Sequence, residues 1–390
     1  MGDRVFDRVL IGGRWVAADR GTYDVINPAT EEVAGKAPQC SIAQVEAAVA
    51  AAREAFDRGP WPRLSGAERG ALLQKAVDAF KAEMRTLVDL VIDETGAVKP
   101  VAEAQQVGQV VARLARYAAY ASAPNQEGMP PAETPAAGGK IFSSGMVVRE
   151  PVGVVACITP FNFPMTNCAG KIGPALACGN TVVVKPAPQD PLAVAELCRI
   201  VDSVLPPGVV NFVGGPGAEA GEGLVASPGV DMISFTGSTA VGVRIQESAA
   251  RRMKRSLLEL GGKSANVVFA DCDSSRAVAS AASVWSFHTG QICIAGTRVL
   301  VEQPIYEEFA AKLVAAASRM KIGDPREPGV VMGPLVSAAQ RERVERCVAK
   351  GREERATLAC GGKRPAHLPR GYYYEPTLFT GATNAMAIAR

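Results

Sequence analysis

Residues 151–215 read PVGVVACITPFNFPMTNCAGKIGPALACGNTVVVKPAPQDPLAVAELCRIVDSVLPPGVVNFVGG. Three short β-branched runs, 152–158, 181–184 and 209–213, alternate here with amphipathic stretches such as 192–205, and a fourth run, 232–235, follows downstream. Runs this short are strands, and strands alternating with helices form a parallel sheet with crossovers on both faces. The span 152–250 therefore predicts a doubly wound α/β domain. After Leu257 the alternation restarts with a strand at 265–269, a long helix, a strand at 298–301 and a helix from Ile305 through Phe309 and Leu313 to Met320, predicting a second α/β domain. Upstream, a short strand-rich start gives way to helices. Ser41 with Gln44 and Ser65 with Glu68 have the spacing of capping boxes. Behind them Ile42, Val45, Val49, Ala52 and Phe56, then Leu72, Leu73, Ala76 and Phe80, recur at helical spacing as core faces. Between these regions, 121–139 (ASAPNQEGMPPAETPAAGG) shifts to Ala, Pro, Gly and polar residues, which predicts a connector without regular elements, followed by strand-like 146–149.

Composition narrows the possibilities. The chain has 390 residues, 42 Lys or Arg against 39 Asp or Glu, a formal net charge of +3, 48% apolar and 21% charged residues. Disorder needs less hydrophobicity, and nucleic-acid binding needs a basic surplus that is missing here. The cluster Arg251-Arg252-Met253-Lys254-Arg255 reads as the solvated end of a helix. At ~150 residues per domain the length predicts two or three domains. No apolar run approaches the ~18 residues of a membrane helix. The opening MGDRVFDRVLIGG is no secretory signal, and Phe6 argues against myristoylation, so a cytoplasmic protein without membrane partners is expected. Nine Cys, at 40, 157, 168, 178, 198, 272, 293, 347 and 360, form no CxxC pair, and two His are too few to complete a zinc site, so no metal is expected. Such cysteines are mostly small buried hydrophobes, but an odd number leaves room for one working thiol.

Four constellations bear on chemistry. Phe235-Thr236-Gly237-Ser238-Thr239-Ala240-Val241-Gly242 places small residues where a strand meets a helix, and Gly214-Gly215-Pro216-Gly217-Ala218-Glu219-Ala220-Gly221 does so again. Each is either a tight, closely packed turn or a cradle for a pyrophosphate at a helix N-terminus, and two in one βαβ region point to a dinucleotide. Cys293, in Gly290-Gln291-Ile292-Cys293-Ile294-Ala295-Gly296, is either inert or a nucleophile flanked by glycines where a ligand can approach. Glu259, in Leu257-Leu258-Glu259-Leu260-Gly261-Gly262-Lys263, is either a buried general base or the ion-pair partner of Lys263 or Arg255. Asn162, in Pro160-Phe161-Asn162-Phe163-Pro164, either donates to an oxyanion or caps the helix starting near Met165. His288 lies near Cys293, but no supporting acid or amide completes a Cys-His protease pair. Phe161, Phe163, Trp285 and Phe287 either line an apolar tunnel or pack the core.

Taken in order, Pro160-Phe161-Asn162-Phe163-Pro164, Lys185-Pro186-Ala187, the turn 235–242, Leu258-Glu259-Leu260-Gly261-Gly262-Lys263 and Gly290-Gln291-Ile292-Cys293 resemble the aldehyde dehydrogenase superfamily, in its hydrolytic, NAD(P)-dependent branch. The match runs from Ile26-Asn27-Pro28-Ala29-Thr30 to Tyr374-Glu375-Pro376-Thr377-Leu378-Phe379. The resemblance implies that Cys293 attacks an aldehyde, that Asn162 and the Cys293 N–H hold the thiohemiacetal oxyanion, that hydride passes to NAD or NADP, and that Glu259 activates the water hydrolysing the thioester. It also implies cofactor contacts from Ile158, Thr159, Phe161, Pro188, Gln189, Phe235, Thr236, Val241, Leu260 and Gly261. Lys185 would meet the adenosine ribose, Gly217 and Gly221 the adenine side, and Ser238 with the Gly237 backbone the pyrophosphate. The implied organisation is a dinucleotide-binding domain from 1–120 and 151–256, a strand-rich oligomerisation connector at 121–150 and a catalytic domain at 257–390, in a homo-oligomer, dimer or tetramer. Two departures stand out. Pro188 replaces the Glu that relatives preferring NAD often carry three residues after the lysine, so NADP use is expected. The family pattern continues past Arg390, so the expectation is a catalytic domain lacking its C-terminal part, either a fragment or a damaged product. The alternatives are a truncated, non-catalytic dinucleotide-binding relative and a coenzyme A acylating dehydrogenase.

Overall fold

The computed structural model describes residues 4–390; the first three, where the expected 1–120 segment begins, lie outside the described residues. A seven-stranded sheet organises most of the chain. Its strands are β1 (Arg8–Ile11), β2 (Arg14–Ala17), β3 (Val154–Ile158), β4 (Thr181–Lys185), β5 (Val210–Phe212), β6 (Met232–Gly237) and β7 (Arg255–Leu260), in the order β7-β6-β3-β4-β5-β1-β2. β3 to β7 run parallel, and β1 joins β5 and β2 antiparallel. Every residue of β3 and β4 is buried, as continuous β-branched strands covered on both faces must be. Val155 and Cys157 pack with the helices Pro164–Ala177, Leu192–Asp202 and Gly66–Thr95. Val154, Ala156 and Ile158 point the other way, onto the helices Ile42–Asp57, Glu219–Ala226 and Thr239–Ala250.

The chain runs outward through β3, β4 and β5, then crosses back to lay β6 on the other side of β3. The strand order thus reverses between β3 and β6, and their carboxyl ends frame the crevice where sheets of this kind bind ligands. Ser65 and Glu68 form the full capping box, starting a 30-residue helix. Ser41 caps its helix, but the Gln44 amide turns away to the Ala17 carbonyl, so only half of that box exists.

The segment 121–139 corrects the expectation of a structureless connector. Ala132–Ala136 pairs with Gly139–Ser143 across a turn at Ala137-Gly138, and Gln126–Gly128 pairs with Met146–Val148. Two antiparallel ladders satisfy backbone groups that the composition alone left without partners, and Pro135 is tolerated because its strand is an edge. Towards the C-terminus, Ala265–Val268 pairs in parallel with Arg298–Val301, and the helices Ser274–Ser286 and Tyr306–Ser318 share a core of Val268, Val278, Phe309 and Leu313. Asp93 fastens this part to the helix Gly66–Thr95: its buried carboxylate forms an ion pair with Arg326 (2.9 Å) and accepts from Arg4 (3.0 Å) and Asn27 (3.1 Å).

Candidate active site

Directly after β3, the chain bends at Phe161-Asn162-Phe163 until Pro164 opens a helix, the position where its missing N–H costs nothing. Asn162 does not cap that helix. Its Nδ2 instead donates to the Gln291 carbonyl at 2.8 Å, its Oδ1 accepts from Phe163 N–H at 3.0 Å, and its main-chain carbonyl accepts from Gln106 Nε2 at 2.9 Å. An amide nitrogen carries two hydrogens, so one remains for a ligand.

Before Cys293, three consecutive residues, His288, Thr289 and Gly290, adopt left-handed φ of +52°, +56° and +74°. Only glycine does this freely, and a β-branched Thr there is strained. The strain is held by tertiary bonds. Thr289 Oγ1 donates to the Gly333 carbonyl at 3.1 Å, while the Gln291 side chain donates to the His288 carbonyl at 3.2 Å and accepts from Val336 N–H at 3.1 Å. The turn lifts Cys293 to the surface, whereas Cys40, Cys157, Cys168 and Cys198 are buried. Burial pushes the Cys157 and Cys198 thiols up, as expected of inert packing residues. Gly262 lies alongside, since a Cβ there would stand 3.9 Å from the Cys293 carbonyl oxygen. The Glu259-to-Gly262 turn therefore borders the thiol's loop.

Glu259 corrects the sequence reading of a buried carboxylate. β7 is an edge strand whose side chains alternate exposed and half-buried, and Glu259 falls on the exposed set with Arg255 and Leu257. Apolar flanks made it look interior, but only one face of this edge is covered. Among the described residues it makes no ion pair with Lys263 or Arg255. It does lie within electrostatic reach of Lys171, a buried ammonium 3.3 Å from Ser234 Oγ; burial lowers that lysine's pKa, and Glu259 counts among the groups opposing the shift.

The expected cofactor residues gather at the carboxyl ends of the parallel strands. Ile158 pairs with Lys185 on one side and with Phe235 on the other, while Thr236 faces Glu259 and Gly237 faces Leu260. Gly237 and Gly242 have packing reasons to be glycine, because a Cβ would strike the Phe235 ring in one case and Leu260 in the other. Gly217 and Gly221 face open space. Ser238 caps the twelve-residue helix Thr239–Ala250 by accepting from Val241 N–H at 3.4 Å. Thr159 Oγ1 is buried without a partner at the switch point, and Gly261 follows the end of β7 without close contacts. An orphaned hydroxyl, open glycines and a helix N-terminus around one crevice fit a dinucleotide. Lys185 is buried at the end of β4; burial pushes its ammonium down to about 8 against the pull of Cys40 and Asp190. Pro188 and Gln189 follow it half-buried, and Phe161 is half-buried beside Asn162. The aromatic residues pack: Phe163 and Phe287 meet at 5.7 Å against the main core, and Trp285 joins the C-terminal one.

Sequence reasoning missed Gln106, Gln291 and Lys171. Lys171 had a legible signal, one lysine in the apolar helix PMTNCAGKIGPALA. Gln106 had none, because its role depends on a π-helical stretch, Ala102–Gly108.

Comparison with known proteins agrees with this geometry. The family model described as "Aldehyde dehydrogenase family" matches residues 15–390. Betaine aldehyde dehydrogenase of Bacillus subtilis is 38% identical over 98% of this chain and 77% of its own. A crystal structure of NAD-dependent aldehyde dehydrogenase from Sinorhizobium meliloti superposes with a TM-score of 0.92 at 36% identity, covering 100% of this chain and 76% of that one. Betaine aldehyde dehydrogenase from Staphylococcus aureus in complex with NAD+ superposes at 0.93 with 33% identity, covering 98% and 75%. With its motifs assembled around one crevice and its whole described length matched, the chain belongs to the aldehyde dehydrogenase family.

Proposed function

We propose that this chain oxidises an aldehyde to the free acid with Cys293 as nucleophile, Asn162 as oxyanion donor and Glu259 as base. The observation carrying the reading is the 2.8 Å bond from Asn162 Nδ2 to the Gln291 carbonyl, which sets the amide against the loop presenting the exposed Cys293. The Sγ–carbon bond forms as the carbonyl π pair moves to oxygen. That charge meets the second Asn162 N–H and the Cys293 main-chain N–H, which has no acceptor among the described residues. Lys185, Ser238 and the Gly237 backbone would hold a dinucleotide, which would accept the hydride that leaves the thiohemiacetal carbon as the oxyanion pair re-forms the carbonyl and a thioester to Cys293 remains. Glu259, open to solvent on the edge strand, takes a proton from the water that attacks the thioester, and the Cys293 thiolate leaves.

A retained Glu259 favours hydrolysis over transfer to coenzyme A. Pro188 offers the ribose no acceptor and a 2′-phosphate no repulsion, which favours use of NADP beside NAD. Because β7 spans residues 255–260, the cofactor unit ends after Leu260 in this proposal instead of at residue 256. Exposed Ile141, Phe142, Met146 and Val148 on the two hairpins support self-association. A cytoplasmic location is part of this proposal, and no helix among the described residues is long and apolar enough to cross a membrane.

The test is absorbance at 340 nm with a panel of aldehydes and each dinucleotide, for the chain and for Cys293→Ser. Aldehyde-dependent reduction abolished by the substitution supports the proposal, and reduction surviving it overturns the nucleophile.

A further inference from the structure

The Asn162 peptide lies between the π-helical stretch Ala102–Gly108 and the turn at His288. Gln106, fully buried in the π-helical stretch Ala102–Gly108, donates Nε2 to the Asn162 carbonyl at 2.9 Å. The same stretch is tied to the helix Pro164–Ala177, because Thr166 Oγ1 donates to the Gln106 carbonyl at 3.0 Å. From the other side the buried His288 ring packs 5.0 Å from the ring of Phe163, the next residue after Asn162, and neither of its ring nitrogens has a hydrogen-bond partner among the described residues. Gln106 Oε1 is likewise buried and unpartnered. Unmatched polar atoms in a packed interior are costly, and an apolar pair of similar volume would avoid that cost. What the polar pair does supply is orientation of one peptide, the one bearing the amide set over the Cys293 loop. π-Helical turns are frequent at such places.

We propose that Gln106, through its hydrogen bond to the Asn162 carbonyl, and His288, through packing on Phe163, are positioning residues that fix the Asn162 peptide, and through it the oxyanion-donating amide, relative to Cys293. Neither touches substrate; both act through Asn162. The inference rests on the oxidative reading of the site.

The experiment is a double-substitution cycle. Gln106→Met and His288→Leu are each measured alone and combined with Asn162→Ala, with aldehyde kcat and KM, dinucleotide Kd and thermal melting recorded. Each single substitution is expected to lower kcat about 10- to 100-fold with aldehyde KM and dinucleotide Kd within about threefold, part of the ~10²- to 10³-fold that one oxyanion donor supplies. In the Asn162→Ala background each is expected to change kcat by less than about twofold, since the group it positions is gone. His288→Phe, which keeps a ring against Phe163, is expected to recover most of the loss. If His288→Leu fails to fold, His288→Phe and Gln106→Met carry the cycle. Effects that multiply undiminished with Asn162→Ala, or folded variants with unchanged kcat, overturn the inference while leaving the oxidative reading intact. Absence of aldehyde oxidation by the unsubstituted chain removes that reading and the inference with it.

Discussion

Replacing Asn162 separates an observed role from a proposed one. One N–H is spent on the Gln291 carbonyl at 2.8 Å, and the other is the donor proposed for the oxyanion. Loss of the first removes a neutral hydrogen bond with a net worth of about 1 kcal/mol, felt in stability. Loss of the second removes a donor aimed at developing charge, worth ~3–4 kcal/mol or 10²- to 10³-fold, felt in kcat. Asn162→Ala should therefore melt slightly lower while kcat falls 10²- to 10³-fold. Asn162→Asp keeps the shape and can still accept from Phe163 N–H, yet it opposes a carboxylate to the Gln291 carbonyl and to the oxyanion, so its kcat should be no higher than that of the Ala variant. Initial rates at 340 nm across aldehyde concentration give kcat and KM separately, and circular dichroism melts give stability. A folded Asn162→Ala variant with kcat within about threefold of the parent, less than ~0.7 kcal/mol in the barrier, would refute the reasoning.

Three further outcomes follow from other parts of the molecule. Pro188→Glu should lower kcat/KM for NADP by about 10- to 100-fold and leave NAD little changed, and a parent preference for NAD above about a thousandfold, ~4 kcal/mol, would contradict the account of Pro188. Burial pushes His288 from 6.5 down to about 4, so between those pH values the unfolded chain binds a proton that the folded one refuses, and stability falls as pH falls. That contribution is on the order of 3 kcal/mol, and His288→Gln should flatten the melting temperature between pH 6.5 and 4, which thermal melts across that range would check. Asp93→Ala strips Arg4, Arg326 and Asn27 of their shared partner; because both guanidinium groups are about one-third exposed, the cost should be about 2 kcal/mol by urea unfolding, below the 3–5 of a fully buried pair.

The parallel sheet was legible because its strands are buried on both faces, so continuous β-branched runs such as Thr181–Lys185 have no competing surface demand. The edge strand Arg255–Leu260 obeys the opposite rule. Its Leu257 is half exposed, and the hydrophobic pattern that placed Glu259 inside was misleading for the same reason. The strand-rich character of 121–150 came only from the family resemblance; the composition of 121–139, rich in Ala, Pro and Gly without alternation, hid a hairpin that closes across the two residues Ala137-Gly138. In the site, Cys293 and Asn162 announced themselves by flanking glycine and proline. The groups that hold them did not: Gln106 reaches Asn162 across 56 residues, and Gln291 reaches Val336 across 45.

Trapping the intermediate tests the role of Cys293 most directly. In Glu259→Gln the deacylating base is gone, so rapid quenching during aldehyde turnover, followed by proteolysis and mass spectrometry, should find the peptide containing Cys293 heavier by the aldehyde less two hydrogens. An adduct on the other exposed thiols, Cys178 or Cys347, or a burst of reduced dinucleotide with Cys293 unmodified, would contradict the account.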